Sequence, residues 1–354
     1  MRKFLIWSGS ILLILLLVCS FLVIRFLTSS NYFTTLEPHF AGSCQMLPGV
    51  VGAEDLDIDI ATGTLYLSAL DRRRAGDDPL INGALYRMDL NDPEARPQLI
   101  WGGAEPGDFR PHGISLLPQP DGLRIFVINH PSDGSHAVEI FDVADTRLQH
   151  RETITDPLFK SPNDLAAIGP RRFYIGNDLA NPPGIMQMLE ILLPRAQTDL
   201  IYFDGERGHI AADGLAFANG VAAARDTHRL YLAEMTGKAL RIFDYDPDNG
   251  ALTPRDQVHL QTFMDNINID AMGNLWIGAH PKLVDIMRHS FDPAITAPAQ
   301  VLRVSLNPEG GGKVDEVLLS IDGTISAVSA AAAYRDKLVL GPIFDAHFAI
   351  CTLP

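Results

Sequence analysis

The chain has 354 residues, is 47% hydrophobic and 20% charged, and carries a formal net charge of −15. This composition supports a substantial folded core and excludes bulk disorder. The acidic balance argues against nucleic acid or anionic lipid as a partner held by a basic patch, and it is compatible with binding a cation. The length allows two ordinary domains or one large repeat architecture.

The first element is apolar. Residues 4–24 read FLIWSGSILLILLLVCSFLVI, without a charge, after Arg2 and Lys3. As a helix this run would be about 31 Å long, enough to cross a bilayer core. A cleaved signal would have a shorter apolar stretch and a small-residue cleavage site, and the RFLTSSNYF that follows offers none. The expectation is an uncleaved signal-anchor over residues 1–30 with its N-terminus inside, an orientation that Arg25 on the far side opposes. Residues 31–354 would then form an extracytoplasmic domain, periplasmic or extracellular. Cys19 lies within the apolar run, while Cys44 and Cys351 bracket the remaining chain. A disulfide between those two would close a loop of roughly 300 residues, worth up to about 5 kcal/mol in the chain-entropy model. An oxidising compartment favours that pairing, and two unrelated buried thiols are the alternative.

Beyond the anchor, short apolar strands recur: LYLS at 65–68, IFVI at 125–128, FYIG at 173–176, LYLA at 230–233, LWIG at 275–278 and LVLG at 338–341. Before each lies another short strand with a polar opening: AEDLDI, RPHGISLL, SPNDLAAI, FANGVAA, DNINID and ISAVSA. A recurrence every roughly 45–60 residues suits an all-β, six-bladed β-propeller of about four strands per blade. Helical solenoids are disfavoured, because the repeated pieces are short, turn-bounded and rich in β-branched or aromatic residues. Two segments break the pattern. GIMQMLEILLP at 184–194 places Ile185, Met188, Leu189 and Leu192 on one helical face, and KLVDIMRHSF at 282–291 is similar. Both follow strand ends and read as short helices capping one face of the propeller, packed on the blades, lining a pocket or touching a membrane.

In a propeller the innermost strands surround a common axis, so the polar residues at their starts meet at one end of it. Here these are Glu54 and Asp55, His112, Asn163 and Asp164, Asn219, and Asp265 with Asn266. Carboxylate and amide oxygens suit a hard cation such as calcium, and the lack of thiolates argues against zinc. A single Asn or Asp at a strand start is ordinarily a turn former; its return in blade after blade is the signal. His112, within that ring, and His130, at the end of the next strand, are placed to take a proton from water, with His280 a third candidate.

With GAEDLDI, FRPHGISLL, VINHP, SPNDLAAIGPRRFYIGND, DGLAFANGV, DNINID and LWIGAHP in view, the chain from about residue 40 onward resembles the paraoxonase/arylesterase family. The resemblance implies a six-bladed propeller lactonase or arylesterase with two calcium ions. Glu54, Asn163, Asn219, Asp265 and Asn266 would hold a catalytic ion, and Asp55, Asp164 and the backbone carbonyl of Ile114 a structural one. It further implies a His112–His130 dyad, a Cys44–Cys351 disulfide, and a lactone or aryl ester as substrate. One departure is the charged loop LDRRRAGDDPLINGA after the first blade's second strand, which lacks the aromatic the family often places near there. The alternatives are a gluconolactonase-like sugar-lactone hydrolase, with fewer paired histidines, and a non-catalytic propeller scaffold, which would need no convergent carboxylates.

Overall fold

The computed structural model describes residues 2–102, 107–144, 147–193, 195–307 and 311–354. Beyond one N-terminal helix, these residues form six four-stranded antiparallel sheets arranged as the blades of a propeller. The recurring polar-opening segments are the innermost strands: Asp55–Asp59, Pro111–Gln119, Pro162–Gly169, Ala218–Ala224, Phe263–Ile269 and Val328–Tyr334. The second set of repeats supplies the next strand outward in each blade, from Thr64–Ala69 to Lys337–Pro342. Five blades are continuous in sequence. In the sixth, Ser43–Pro48 pairs as the outer strand with His347–Thr352, in a register that sets Cys44 opposite Cys351. The two cysteines are disulfide-bonded, 307 positions apart in sequence, so the ring is locked covalently where its first and last strands meet.

The core lies between adjacent blades. Phe126, Ile128, Val138 and Ile140 of the second blade interlock with Leu165, Phe173, Ile175 and Phe203 of the third. At the axis, space is tighter. A Cβ at Gly113 would lie 2.6 Å from the carbonyl oxygen of Asn163, and one at Gly220 would lie 2.3 Å from that of Asp265. The glycine in PHGI and in ANGV is therefore what lets neighbouring inner strands approach at the height of the site.

Helix α1 (Arg2–Ser29) contains the one membrane-length apolar helix among the described residues; its window Leu12–Ser29 has a mean hydropathy of 2.5 and none of it is buried. Its C-terminal end is tied to the propeller. Leu283 N donates to Ser30 O, and Asn31 Nδ2 donates to the carbonyls of Gln261 and Pro281. The charged loop of the first blade contains helix α2 (Arg72–Asp77), capped by the Asp71 carboxylate accepting from Arg74 N. Helices α3 (Ile185–Leu192) and α4 (Leu283–Phe291) occupy the two predicted segments; Pro194 and the Leu192 side chain lie outside the described residues. Each of α2, α3 and α4 joins the second strand of its blade to the third, so all three stand on the face where the inner strands begin.

The two predicted amphipathic helices orient differently. α4 buries Leu283 and Ile286 against Met235, Phe263 and Ala327. α3 turns its apolar side outward, leaving Ile185, Met186 and Met188 exposed, because its Glu190 is the buried anchor. That carboxylate accepts from Ala180 N, Asn181 N and Asn181 Nδ2. These three hydrogen bonds fix the Glu190 side of α3 as its buried side.

Candidate functional site

A strand alternates its side chains, so adjacent residues such as Asn163 and Asp164 would ordinarily face opposite ways. The pairing of inner strands with their neighbours slips between Pro111 and Ile114, Pro162 and Leu165, Ala218 and Val221, and Met264 and Ile267. Each slip is a bulge at the mouth of a blade, and a bulge re-aims side chains. This is how consecutive residues both serve the axis.

The sequence-predicted residues do converge. Asn266 Nδ2 donates to Glu54 Oε1 at 3.1 Å across the ring between blades five and one. Glu54 Oε2 lies 3.4 Å from His112 Nε2 and accepts from Arg72 Nη2 at 3.3 Å. Asn163 Nδ2 donates to Asp178 Oδ2 at 3.1 Å, and the Asn219 amide contacts the Met235 sulfur. Glu54, Asp55, Asn163, Asp164, Asn219, Asp265 and Asn266 are all buried. Ile114 meets this group through its N–H, which donates to Asp55 Oδ2 at 2.6 Å.

The histidines separate into two roles. His112 Nδ1 lies 3.0 Å from His130 Nε2, as the predicted dyad requires. His280 is 1% exposed and sits behind the ring, its Nε2 2.7 Å from Asp265 Oδ2. It orients a carboxylate and does not face the cavity, so it is not placed to meet water there.

The electrostatics of so many buried acids are unfavourable by themselves. Burial and the neighbouring carboxylates push Asp55 well above the usual carboxylate range, and burial does the same to Asp164. Asp265 is also raised, burial outweighing its His280 partner. Burial works on Glu54 too, but His112, Arg72 and Asn266 outweigh it and hold that carboxyl down at about 2. Three amide oxygens complete the picture. Asn163 Oδ1, Asn219 Oδ1 and Asn266 Oδ1 are buried and accept no hydrogen bond among the described residues. A buried acceptor without a donor costs on the order of 1–3 kcal/mol, which a cation among these oxygens would remove. Among the described residues no cluster of three or more His, Cys, Asp or Glu side chains is arranged to hold a metal. A site built largely from amides escapes that pattern, and amide and carboxylate oxygens are what a hard cation takes.

Two participants were invisible to motif reading. Arg72 lies in the charged loop, and only the α2 helix carries its guanidinium to Glu54 and the Gly52 carbonyl. His136 lies in the turn SDGSH, and its Nδ1 stands 2.8 Å from His130 Nδ1. A histidine a few residues after NHP was the available signal.

A family model described as Arylesterase matches residues 50–353. Serum paraoxonase/arylesterase 1 of Rattus norvegicus is 31% identical over 333 residues, covering 92% of this chain and 92% of that protein. Serum paraoxonase/lactonase 3 of Oryctolagus cuniculus is 29% identical over 334 residues, 91% of this chain and 92% of that protein. Among solved structures, regucalcin of Agrobacterium tumefaciens, described as a calcium-binding protein, superposes with a TM-score of 0.53 at 13% identity, covering 90% of this chain and 95% of that one. A gluconolactonase of Xanthomonas campestris superposes at 0.52 with 15% identity, covering 88% and 90%. At such identities these two likenesses speak for the propeller fold alone.

Proposed function

The chain belongs to the arylesterase family and is an ester hydrolase, and from that premise we propose that it hydrolyses lactones and aryl esters with calcium at the axial mouth and a His112–His130 dyad beside it. The observation that carries this reading is the trio of unpartnered amide oxygens at the mouths of three inner strands, that of Asn266 on a side chain bonded to Glu54, with the two imidazoles in hydrogen-bond contact. Glu54, Asn163, Asn219, Asp265 and Asn266 would hold the catalytic ion, and Asp55, Asp164 and Ile114 a second, structural one. When bound, calcium supplies Lewis-acid polarisation of the ester carbonyl and stabilises the oxyanion that forms on it.

The protein's own part is proton handling. His112 Nε2 takes a proton from water as the water oxygen attacks the carbonyl carbon. His130, on Nδ1 of the same ring, fixes the imidazole and shares its positive charge. His112 then returns the proton to the departing alkoxide or phenoxide as the C–O bond breaks. Arg72, salt-bridged to Glu54, adds to the contacts that favour its ionised form.

Helix α1 supports a signal-anchor reading for residues 1–30, with the propeller of residues 31–354 held outside the cytoplasm at a membrane surface. The test of the catalytic reading is His112→Gln, assayed on acyl lactones, sugar lactones and phenyl acetate with and without chelator. Wild-type turnover should vanish with chelator, and the variant should lose about 10²–10⁴-fold in kcat while still binding calcium. Full lactonase activity of the variant across pH would refute the base, and a preference for sugar lactones would move the chain toward a gluconolactonase-like activity.

A further inference from the structure

We propose that Asn129 and Asn177 are positioning residues for the site: one holds the segment that delivers His112, the other the segment that delivers Asn163, each through the fixed sense of its side-chain amide. The inference rests on the reading of His112 as the base and of Asn163 as a ligand of the catalytic ion, and it deepens both.

The two asparagines occupy the same place in consecutive blades. Each ends the second strand of its blade, Gly122–Asn129 and Arg172–Asn177. Each is buried and grips the stretch that leads into the inner strand, residues 108–111 in one blade and 158–162 in the other. Asn129 Oδ1 accepts from Arg110 N at 2.8 Å, and its Nδ2 donates to Asp108 O at 3.2 Å. Asn177 Oδ1 accepts from Lys160 N and Ser161 N, both at 3.0 Å, and its Nδ2 donates to Leu158 O at 2.8 Å. The following residue completes the grip with its own N–H: His130 N donates to Arg110 O, and Asp178 N to Ser161 O. Its side chain then meets the site residue, His130 at 3.0 Å from His112 and Asp178 at 3.1 Å from Asn163. Asn129 with His130, and Asn177 with Asp178, are therefore one two-residue device carrying different tips.

The partners dictate which way round each amide sits. A backbone N–H only donates and a carbonyl only accepts, so Oδ1 and Nδ2 cannot exchange places. A carboxylate from the third strand reinforces the choice. Asn129 Nδ2 also donates to Glu139 Oε1 at 3.1 Å, and Asn177 Nδ2 to Asp199 Oδ1 at 2.6 Å. Those carboxylates are held in turn, Glu139 Oε2 by Thr153 Oγ1 at 2.6 Å and Asp199 Oδ2 by Lys160 Nζ at 2.9 Å. The fourth blade reverses the polarity and keeps the arrangement. There Glu234 ends the second strand and accepts from Ala216 N at 2.9 Å, just ahead of Asn219. Arg241 of the third strand orients it, Nε to Oε2 at 2.6 Å. In all three blades a buried acceptor holds an N–H shortly before a site residue, and a third-strand partner of opposite sense sets that acceptor.

The test compares Asn129→Asp, Asn177→Asp and the swap Asn129→Asp/Glu139→Gln. It reads hydrogen exchange in peptides spanning 108–112 and 158–163, calcium affinity by titration calorimetry, and steady-state kinetics on a lactone. An aspartate keeps the acceptor but sets a second carboxyl group against Glu139 or Asp199, so the pair separates or takes up a proton. Exchange should quicken in the segment beside the altered residue and stay unchanged in the other. Asn129→Asp should lower kcat on the order of 10- to 100-fold with calcium affinity within about threefold of wild type, whereas Asn177→Asp should weaken calcium affinity about 10-fold or more. In the swap, a glutamine in place of Glu139 donates to the new aspartate, as Arg241 does to Glu234, and kcat should return to within about threefold of wild type. Wild-type exchange in Asn129→Asp overturns the proposal whatever the kinetics. So does a swap as slow as Asn129→Asp, or an equal loss of kcat and calcium affinity in both single variants, which would make the asparagines supports of the fold at large. His112→Gln, measured alongside, separates the two levels: if it stays fully active the base assignment falls, whereas the exchange data still report whether Asn129 holds its segment. If it is slow while Asn129→Asp exchanges faster at unchanged kcat, the positioning role falls and the base assignment stands.

Discussion

Asp164 and Asn163 are neighbours in sequence and both reach the axis, yet their oxygens meet opposite circumstances. Both oxygens of Asp164 are occupied, by Leu165 N at 2.7 Å and by Val221 N of the next blade at 2.6 Å. Asp55 is held likewise by Leu56 N and by Ile114 N of its neighbouring blade, and Asp57 repeats the device one step further down with Leu116 N. Asn163 Oδ1, by contrast, is buried with no donor among the described residues, as are Asn219 Oδ1 and Asn266 Oδ1. The lower layer of polar groups therefore works as stapling between blades, part of what makes the ring. The upper layer consists of acceptors that the fold orders and leaves for something else. Buried polarity alone does not mark a site; here the unpartnered amide oxygens recur at the mouths of three inner strands.

The comparison is broken most forcefully from the upper layer. Asp265→Ala should reduce hydrolysis of lactones and aryl esters to background, a loss of more than about 10³-fold if oxyanion stabilisation depends on the ion. Calorimetric titration should show weakened calcium affinity, with far-UV circular dichroism unchanged. Retention of calcium binding by this variant would place the cation elsewhere. In the lower layer, Asp164→Ala strips acceptors from two buried backbone N–H groups and removes a proposed ligand of the second ion, so denaturant unfolding should register a loss of about 2–5 kcal/mol even in chelator, and a larger one with calcium present. A change confined to the calcium-loaded protein would mean that Asp164 acts through an ion and not as a staple. The smallest effect sharpens the contrast. Asn219→Ala removes an oxygen that nothing satisfies, so in chelator its stability should match wild type within about 1 kcal/mol, and only the stabilisation gained on adding calcium should shrink.

Much of the ring could be read directly. Glu54, His112, Asn163, Asn219 and Asp265 each open an inner strand, and the same turn-bounded, apolar strand follows in every blade, so position in the repeat predicted position in space. His130 was legible for the same reason, standing just after the second strand of its blade. Arg72, His136 and the buried face of α3 were not. Arg72 lies among three consecutive arginines, and which of them enters the site depends on the phase of the α2 helix, set by its Asp71 cap. His136 reaches the site only through His130, which follows the previous strand. For α3 the apolar stripe left packing on the blades, pocket lining and membrane contact all open, and the Glu190 hydrogen bonds decide which side is buried.

By itself the sequence determined the number of blades, the innermost strand of each and the residues at its mouth, because strand alternation, turn residues and repeat spacing are local and recur six times. It also determined the apolar N-terminal helix, whose character is compositional. Only the tertiary structure decided which buried oxygens are satisfied and which are left open, that His280 backs a carboxylate while His112 faces the axis, and that Arg72 and His136 belong to the site. The physical reason is common to all of these. Each depends on a hydrogen-bond partner supplied from another strand, loop or blade, and a chain read in order does not reveal which donor will arrive at a given acceptor.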